Sequence, residues 1–273
     1  ILISSIFKNL KSKKIDSIFF LSLSFFIFIN IFFYRLQEHG TDRSAQILIL
    51  ILFLQLLIFL NFGKNAKNEL NQMIVMLGLI ISLKAFYILY LLVPLVVLWI
   101  LYKENKLYFL KDFLKNRIFY FFLILIFAVL ITNFLNTGCL IYPLNLTCFE
   151  NFSWSLGSAE VSKMNQHYNL WSKAGHTPNY KVDNAELYLQ NFNWVSNWID
   201  DYFFNKVSDL IFGLLFTSVF LFLFFFKKKT KKIYYNRNYN FLVILIFFLL
   251  VEWFVNHPAL RYGGYALFAI LFL

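Results

Sequence analysis

Apolar residues in this chain come in long unbroken runs, and polar residues come in short clusters between them. The runs end near Tyr34, Phe62, Tyr102, Phe134, Phe226 and Val255, and none shows the two-residue alternation of a half-exposed strand. Runs that approach or exceed the ~20 residues needed to cross a hydrocarbon core read as membrane helices. A spanning backbone has to satisfy its own hydrogen bonds, which leaves helices once alternation is missing. The pattern therefore predicts an all-α, polytopic helical transmembrane protein of about 7–8 spans with one long extracytoplasmic loop region.

Spans are expected near residues 15–34, 47–62, 118–134, 207–226 and 240–255, with a last one beginning at Gly263. The run 73–102 is broken by Lys84 and Pro94, and basic clusters flank it on both sides. Both clusters belong on the same, cytoplasmic face, so the run reads as a tight hairpin of two short helices with Lys84 near its outer tip. Residues 104–114 place Leu107, Phe109, Leu110, Phe113 and Leu114 at near-helical spacing beside lysines, the mark of a helix lying in the interface. Three parts follow: a membrane bundle over 1–135, an extracytoplasmic region over 136–206, and membrane helices over 207–273.

Composition changes this picture little. A chain that is 60% hydrophobic and 14% charged, with 37 Phe, is excluded as a soluble domain. The net charge of +11 is assigned to topology and not to nucleic acid: the segments placed inside hold 17 Lys/Arg against 4 Asp/Glu, and those placed outside hold 8 against 10. The chain opens without Met and stops inside an apolar run, so it is expected to be a piece of a longer protein with functional residues missing at both sides.

The outer region holds both cysteines, Cys139 and Cys148, for which a disulfide is one option. Near its end Asp183 and Glu186 suggest a helix start. Leu187, Trp194, Val195, Trp198, Ile199, Tyr202 and Phe203 then make an apolar stripe. It reads either as a helix resting on the membrane with its tryptophans at headgroup level or as an aromatic platform for a sugar or lipid.

The candidate chemistry collects on the outer side. Asp42 and Glu38 lie in the loop 38–43, where a carboxylate can take a proton or orient an acceptor, or simply sit solvated beside Arg43. Lys84 interrupts an apolar run, and a charge at membrane depth marks either a functional site or a side chain snorkelling to the interface. Arg261 suits two-point recognition of a phosphate with Tyr262 alongside, and Glu252 is placed to pair with it. His39, His167, His176 and His257 all fall on this side, but without HxxH or HxxxH spacing no metal ligand is assigned among them.

Gly40-Thr41-Asp42-Arg43 after a span, the hairpin 77–84 followed by an apolar run through Pro94, and the turn 257–262 before a late span together resemble the C-type (polytopic membrane) glycosyltransferases. The stretch Cys-Leu-Ile-Tyr-Pro at 139–143 is similar to one in uncharacterised bacterial membrane proteins. The resemblance implies inverting transfer of a sugar from a polyprenyl-phosphate donor to an acceptor at the outer face of a bacterial inner (plasma) membrane. In this reading Asp42 and Glu38 are catalytic and line the acceptor side, Lys84 and Arg261 hold the lipid phosphate, and Tyr262, His257, Arg43 and His39 also bind substrate. The partners are a lipid-linked sugar and membrane lipid, with no nucleic acid. No cofactor is expected, a divalent metal in place of the cations being the alternative. The family's catalytic aspartate sits in the first outer loop, which would lie upstream of Ile1, so Asp42 falls in the second. Two other readings stay open: an O-antigen polymerase or ligase, and a lipid or solute transporter or flippase. The lack of an internal repeat and the charges at the outer ends of the spans count against the last.

Overall fold

The computed structural model describes residues 1–11, 16–34, 40–62, 66–103, 105, 113–177, 180–225 and 239–273. Helices α1 (Leu2–Lys11), α2 (Ser17–Phe32), α3 (Asp42–Phe62) and α4 (Ala66–Leu83) come first. A tighter 3-10 segment, Ala85–Leu91, runs into α5 (Leu92–Lys103), and α6 (Arg117–Thr137) follows. The next region holds α7 (Gly157–Ser172), a two-stranded antiparallel hairpin of β1 (His176–Thr177) and β2 (Tyr180–Lys181), α8 (Ala185–Leu189) and α9 (Val195–Trp198). A π-helical stretch, Ile199–Val207, leads into α10 (Ser208–Phe225), and α11 (Tyr239–Asn256), a 3-10 turn at Leu260–Tyr262 and α12 (Gly264–Phe272) complete the chain.

The expected all-α class is what forms. Among the described residues four helical stretches are long and apolar enough to cross a membrane: Asp42–Leu60, Phe86–Lys103, Arg117–Thr137 and Val195–Leu223. Ile18–Phe32, Asn68–Leu83 and Asn240–Asn256 are shorter apolar helices. Helix α3 is the centre, with Ala45, Ile49, Leu50, Leu52, Phe53, Leu54 and Leu56 fully buried. Helices α6, α10 and α11 instead turn large apolar side chains outward, among them Phe121, Ile124, Phe127, Phe212, Phe216, Ile244 and Phe247. A helix as apolar on its outer face as on its inner one suits an apolar surrounding and not water.

Hydrogen bonds fix the direction of the helices. Thr41 Oγ1 donates to Leu83 O at 3.2 Å, so the start of α3 lies beside the end of α4. Toward the other end, Asn116 Nδ2 donates to Asn71 Oδ1 at 3.1 Å. The region 136–206 packs on the same end as Thr41: Trp198 Nε1 donates to Pro258 O at 2.9 Å, and Leu260 N–H donates to Tyr202 Oη at 2.8 Å.

Several expectations need correcting. Lys84 does sit at a break, with extended backbone (φ −153°, ψ 114°), between α4 of 18 residues and a 3-10 segment of 7 residues that runs into α5. Helix α4 begins at Ala66, ahead of the apolar run, because a helix can carry Asn68, Glu69 and Asn71 in its first turns without strain. The loop 38–43 ends early, since Asp42 is already the first residue of α3. The aromatic stripe is no surface helix: Trp194 and Trp198 are buried inside the protein, and residues from Val195 onward belong to the helical run that continues into α10. Their rings pack on each other and on Phe254, at 5.2 to 6.2 Å between centroids. The N-cap of α8 is Asn184, whose side chain accepts from Leu187 N–H. The interfacial helix expected at 104–114 falls largely outside the described residues.

The two cysteines form a disulfide, with Sγ–Sγ 2.07 Å. It closes a loop that starts where Gly138, in the left-handed region at φ 78°, caps α6 with its N–H on Phe134 O. A Cβ at Gly138 would collide with Ser155, so only glycine fits this turn.

Candidate functional site

Asp42 and Gln46 lie one turn apart on one face of α3, and together they organise the site. The Asp42 carboxylate is 1% exposed. Lys84 Nζ lies 2.7 Å from its Oδ1 and Arg261 Nε lies 3.2 Å from its Oδ2. The position of Asp42 in the first turn of α3 adds the favourable field of a helix N-terminus to these two ion pairs. Lys84 stands at the break between α4 and the 3-10 segment, and its side chain reaches the start of α3.

Arg261 is held at both ends. Its side chain meets Asp42, and its carbonyl accepts from Gln46 Nε2 at 3.0 Å. The same amide reaches Leu260 O at 3.3 Å, and Gln46 Oε1 accepts from Ala266 N–H at 3.1 Å. Trp253 Nε1 completes the frame with a bond to Ala259 O at 3.0 Å. The turn carrying Arg261 is therefore pinned by α3, α11 and the stretch leading into α10.

Lys84 and Arg261 are each about a third exposed, and both open onto one cavity of about 530 Å³. Its walls include Phe86, Glu252, Asn256, His257 and Tyr262, with Asn165 and Tyr168 from α7 and residues 141–144 from the disulfide loop. Phe86, His257 and Tyr262 form an aromatic wall with ring centroids 5.0 to 5.7 Å apart, and the Arg261 guanidinium lies 5.0 Å from the Tyr262 ring. Burial pushes the Tyr262 phenol up, with Arg261 opposing. Two cations share one buried carboxylate, so the trio presents one net positive charge to the cavity. Among the described residues Glu252 is the one carboxylate on the wall, and its Oε1 accepts from Asn256 Nδ2 at 3.0 Å.

Of the residues singled out from sequence, Asp42, Lys84, Arg261, His257 and Tyr262 come together here. Arg43 is buried and lines no part of the cavity. Glu38 and His39 lie outside the described residues. Glu252 does not pair with Arg261; Asp42 holds that position. Both oxygens of Asp42 face cations, so Asp42 anchors Lys84 and Arg261. Gln46, Asn165 and Tyr168 were not visible as site residues from sequence; for Gln46 the one signal is its spacing of four from Asp42. Among the described residues no group of three or more His, Cys, Asp or Glu side chains comes together.

His257 is a neutral member of this wall. Burial, reinforced by the nearby Lys173 ammonium, pulls its pKa down to about 4. Its Nδ1 lies 3.4 Å from Ser172 Oγ. The unfolded chain binds a proton at this position below about 6.5, the native chain only near 4, so the contribution to stability is present above 6.5 and is lost as pH falls through that window. We expect the acid-induced drop in melting temperature between these pH values to be shallower for His257→Phe than for the parent, as measured in detergent; equal slopes would show that the imidazole titrates normally.

No curated protein and no solved structure matches the chain. A family model does match, over residues 1–268, and on that extent the chain belongs to the family described as Domain of unknown function (DUF8201).

Proposed function

We propose that this chain is a bacterial inner-membrane glycosyltransferase that binds a polyprenyl-phosphate-linked sugar at the extracytoplasmic face and transfers the sugar to an acceptor. The observation that carries the reading is the excess positive charge of Lys84 and Arg261, both anchored on buried Asp42 and both facing the cavity. Cations fixed where a phosphate departs stabilise the charge that develops on it, and a preorganised anchor spares their reorganisation during the reaction. The cavity volume lies in the range of sites for small ligands, roughly 300–1,000 Å³. Glu252, which lines the same cavity, is a carboxylate that could take the acceptor proton.

About 7–8 spans, counting the helices on either side of Lys84, would set the cavity at the outer end of the bundle. The charge bias of the loops favours that orientation, and the disulfide that closes the loop beside the cavity suits an oxidising compartment.

Binding tests the reading directly. Purified protein in nanodiscs should bind a polyprenyl phosphate and discriminate against the matching polyprenol, which lacks the phosphate. Lys84→Gln and Arg261→Gln should each weaken binding roughly 10- to 100-fold, the loss of one charge-assisted hydrogen bond. Equal affinity for the alcohol, or unchanged affinity in both variants, would sink the phosphate site.

A further inference from the structure

The disulfide loop has a second face, turned away from the cavity. Leu146, Phe149, Phe152, Trp154 and Leu156 are all exposed there, Leu146 at 94% and Trp154 at 46%. Over residues 138–156 the only charged side chain is Glu150. Phe134, near the end of α6, gathers the rings of Phe149, Phe152 and Trp154 around it at 5.3 to 6.3 Å. The patch thus continues the outward apolar face of α6, where Phe127, Ile131 and Leu135 are exposed.

The backbone of this loop satisfies much of its own hydrogen bonding. Leu140 N–H donates to Thr147 O at 3.0 Å, Leu144 N–H to Ile141 O at 2.8 Å and Phe149 N–H to Gly138 O at 2.9 Å. Thr147 Oγ1 accepts from Ile141 N–H at 3.0 Å and donates to Leu144 O at 2.9 Å. Bare apolar side chains on a self-satisfied backbone are what a segment needs to leave water at low cost. Trp154 adds the amphipathic ring that favours headgroup depth.

We infer that the outer face of loop 138–156 is seated in the headgroup–acyl boundary of the bilayer, as a lip between the lipid and the cavity. Its inner side already forms cavity wall through residues 141–144. Beneath it an apolar slot of about 150 Å³ shares Ile88 and Ile141 with the cavity and is walled by Leu123 and Ile126 of α6. A lip in this position lets a membrane-borne ligand reach Lys84 and Arg261 from the leaflet without passing through water. The inference rests on the reading that α6 crosses the bilayer.

Tryptophan quenching separates the two. The protein is placed in nanodiscs of phosphatidylcholine brominated near the headgroup, and the Trp154 share of emission is taken as the parent signal minus that of Trp154→Phe. That share should fall about twofold relative to unbrominated discs, as expected for a ring at headgroup depth, and should resist aqueous iodide. A share untouched by bromolipid overturns the lip, whether iodide reaches it, as in a water-facing loop, or fails to, as under a covering protein. Phe127→Trp, halfway along α6, reports on the premise: its added emission should be quenched by lipid brominated deep in the chains. Quenching there without quenching at Trp154 removes the lip alone, and quenching at neither site removes the spanning reading as well.

Discussion

The double variant Lys84→Met, Arg261→Met should lose roughly 3–5 kcal/mol of stability, more than any single change in the trio, because it leaves a buried carboxylate with no counter-charge. Asp42 is 1% exposed, so it has no route to water once its partners are gone. Asp42→Asn should lose less, about 1–3 kcal/mol, since what remains is two cations that are a third exposed and able to turn into the cavity. Either single methionine variant retains one ion pair and should fall below the double. The order is the test, read from unfolding midpoints in a fixed detergent. A double variant as stable as the parent would mean that Asp42 is uncharged in the native protein, and the excess positive charge assigned to the cavity would then be two and not one. The same geometry bears on chemistry: Asp42 is engaged by two cations, whereas Glu252 lines the cavity and takes the acceptor proton in the proposed reaction.

Lys84 was legible from sequence because a charge inside an apolar run is expensive enough to demand either a partner or an exit to water, and the structure supplies the partner. Asp42 and Arg261 were legible on other grounds, as a carboxylate in the polar loop 38–43 and as a guanidinium suited to phosphate in the turn 257–262. What stayed hidden was set by packing between distant segments. Asn165, Tyr168 and residues 141–144 reach the cavity only because α7 and the disulfide loop fold back over Phe86 and Tyr262, and no local pattern encodes that. The stripe from Leu187 to Phe203 was misread for a different reason. Helical spacing of aromatics looks alike whether the face meets lipid headgroups or protein, and here Trp198 finds Pro258 O and Phe254 within the protein. Helix bounds followed the apolar runs except where polar residues were tolerated inside a helix, at Asp42, at the first turns of α4, and at Asp200, Asp201 and Lys206 ahead of α10.

Gln46 carries the other large effect. Gln46→Leu should cost about 3–5 kcal/mol although the replacement is apolar, similar in size and placed in an apolar helix, because each buried polar group left unpaired costs about 1–3 kcal/mol. Three groups lose their partner together: the carbonyls of Leu260 and Arg261 and the N–H of Ala266, which has no intrahelical acceptor in the first turn of α12. Leucine fills the volume but offers neither donor nor acceptor, and Gln46 is fully buried, so water cannot stand in. The loss should also appear in ligand binding, since Asp42 and Gln46 grip the side chain and the carbonyl of the same arginine. With the carbonyl released, Arg261 keeps its charge but not its aim. Gln46→Leu should therefore weaken polyprenyl-phosphate binding even at temperatures where the variant remains folded, whereas a change of similar stability cost in the core, such as Leu54→Ala, should leave binding intact. Parallel losses of binding in both variants would mean that Gln46 acts through stability alone; a loss confined to Gln46→Leu would establish it as the residue that positions Arg261.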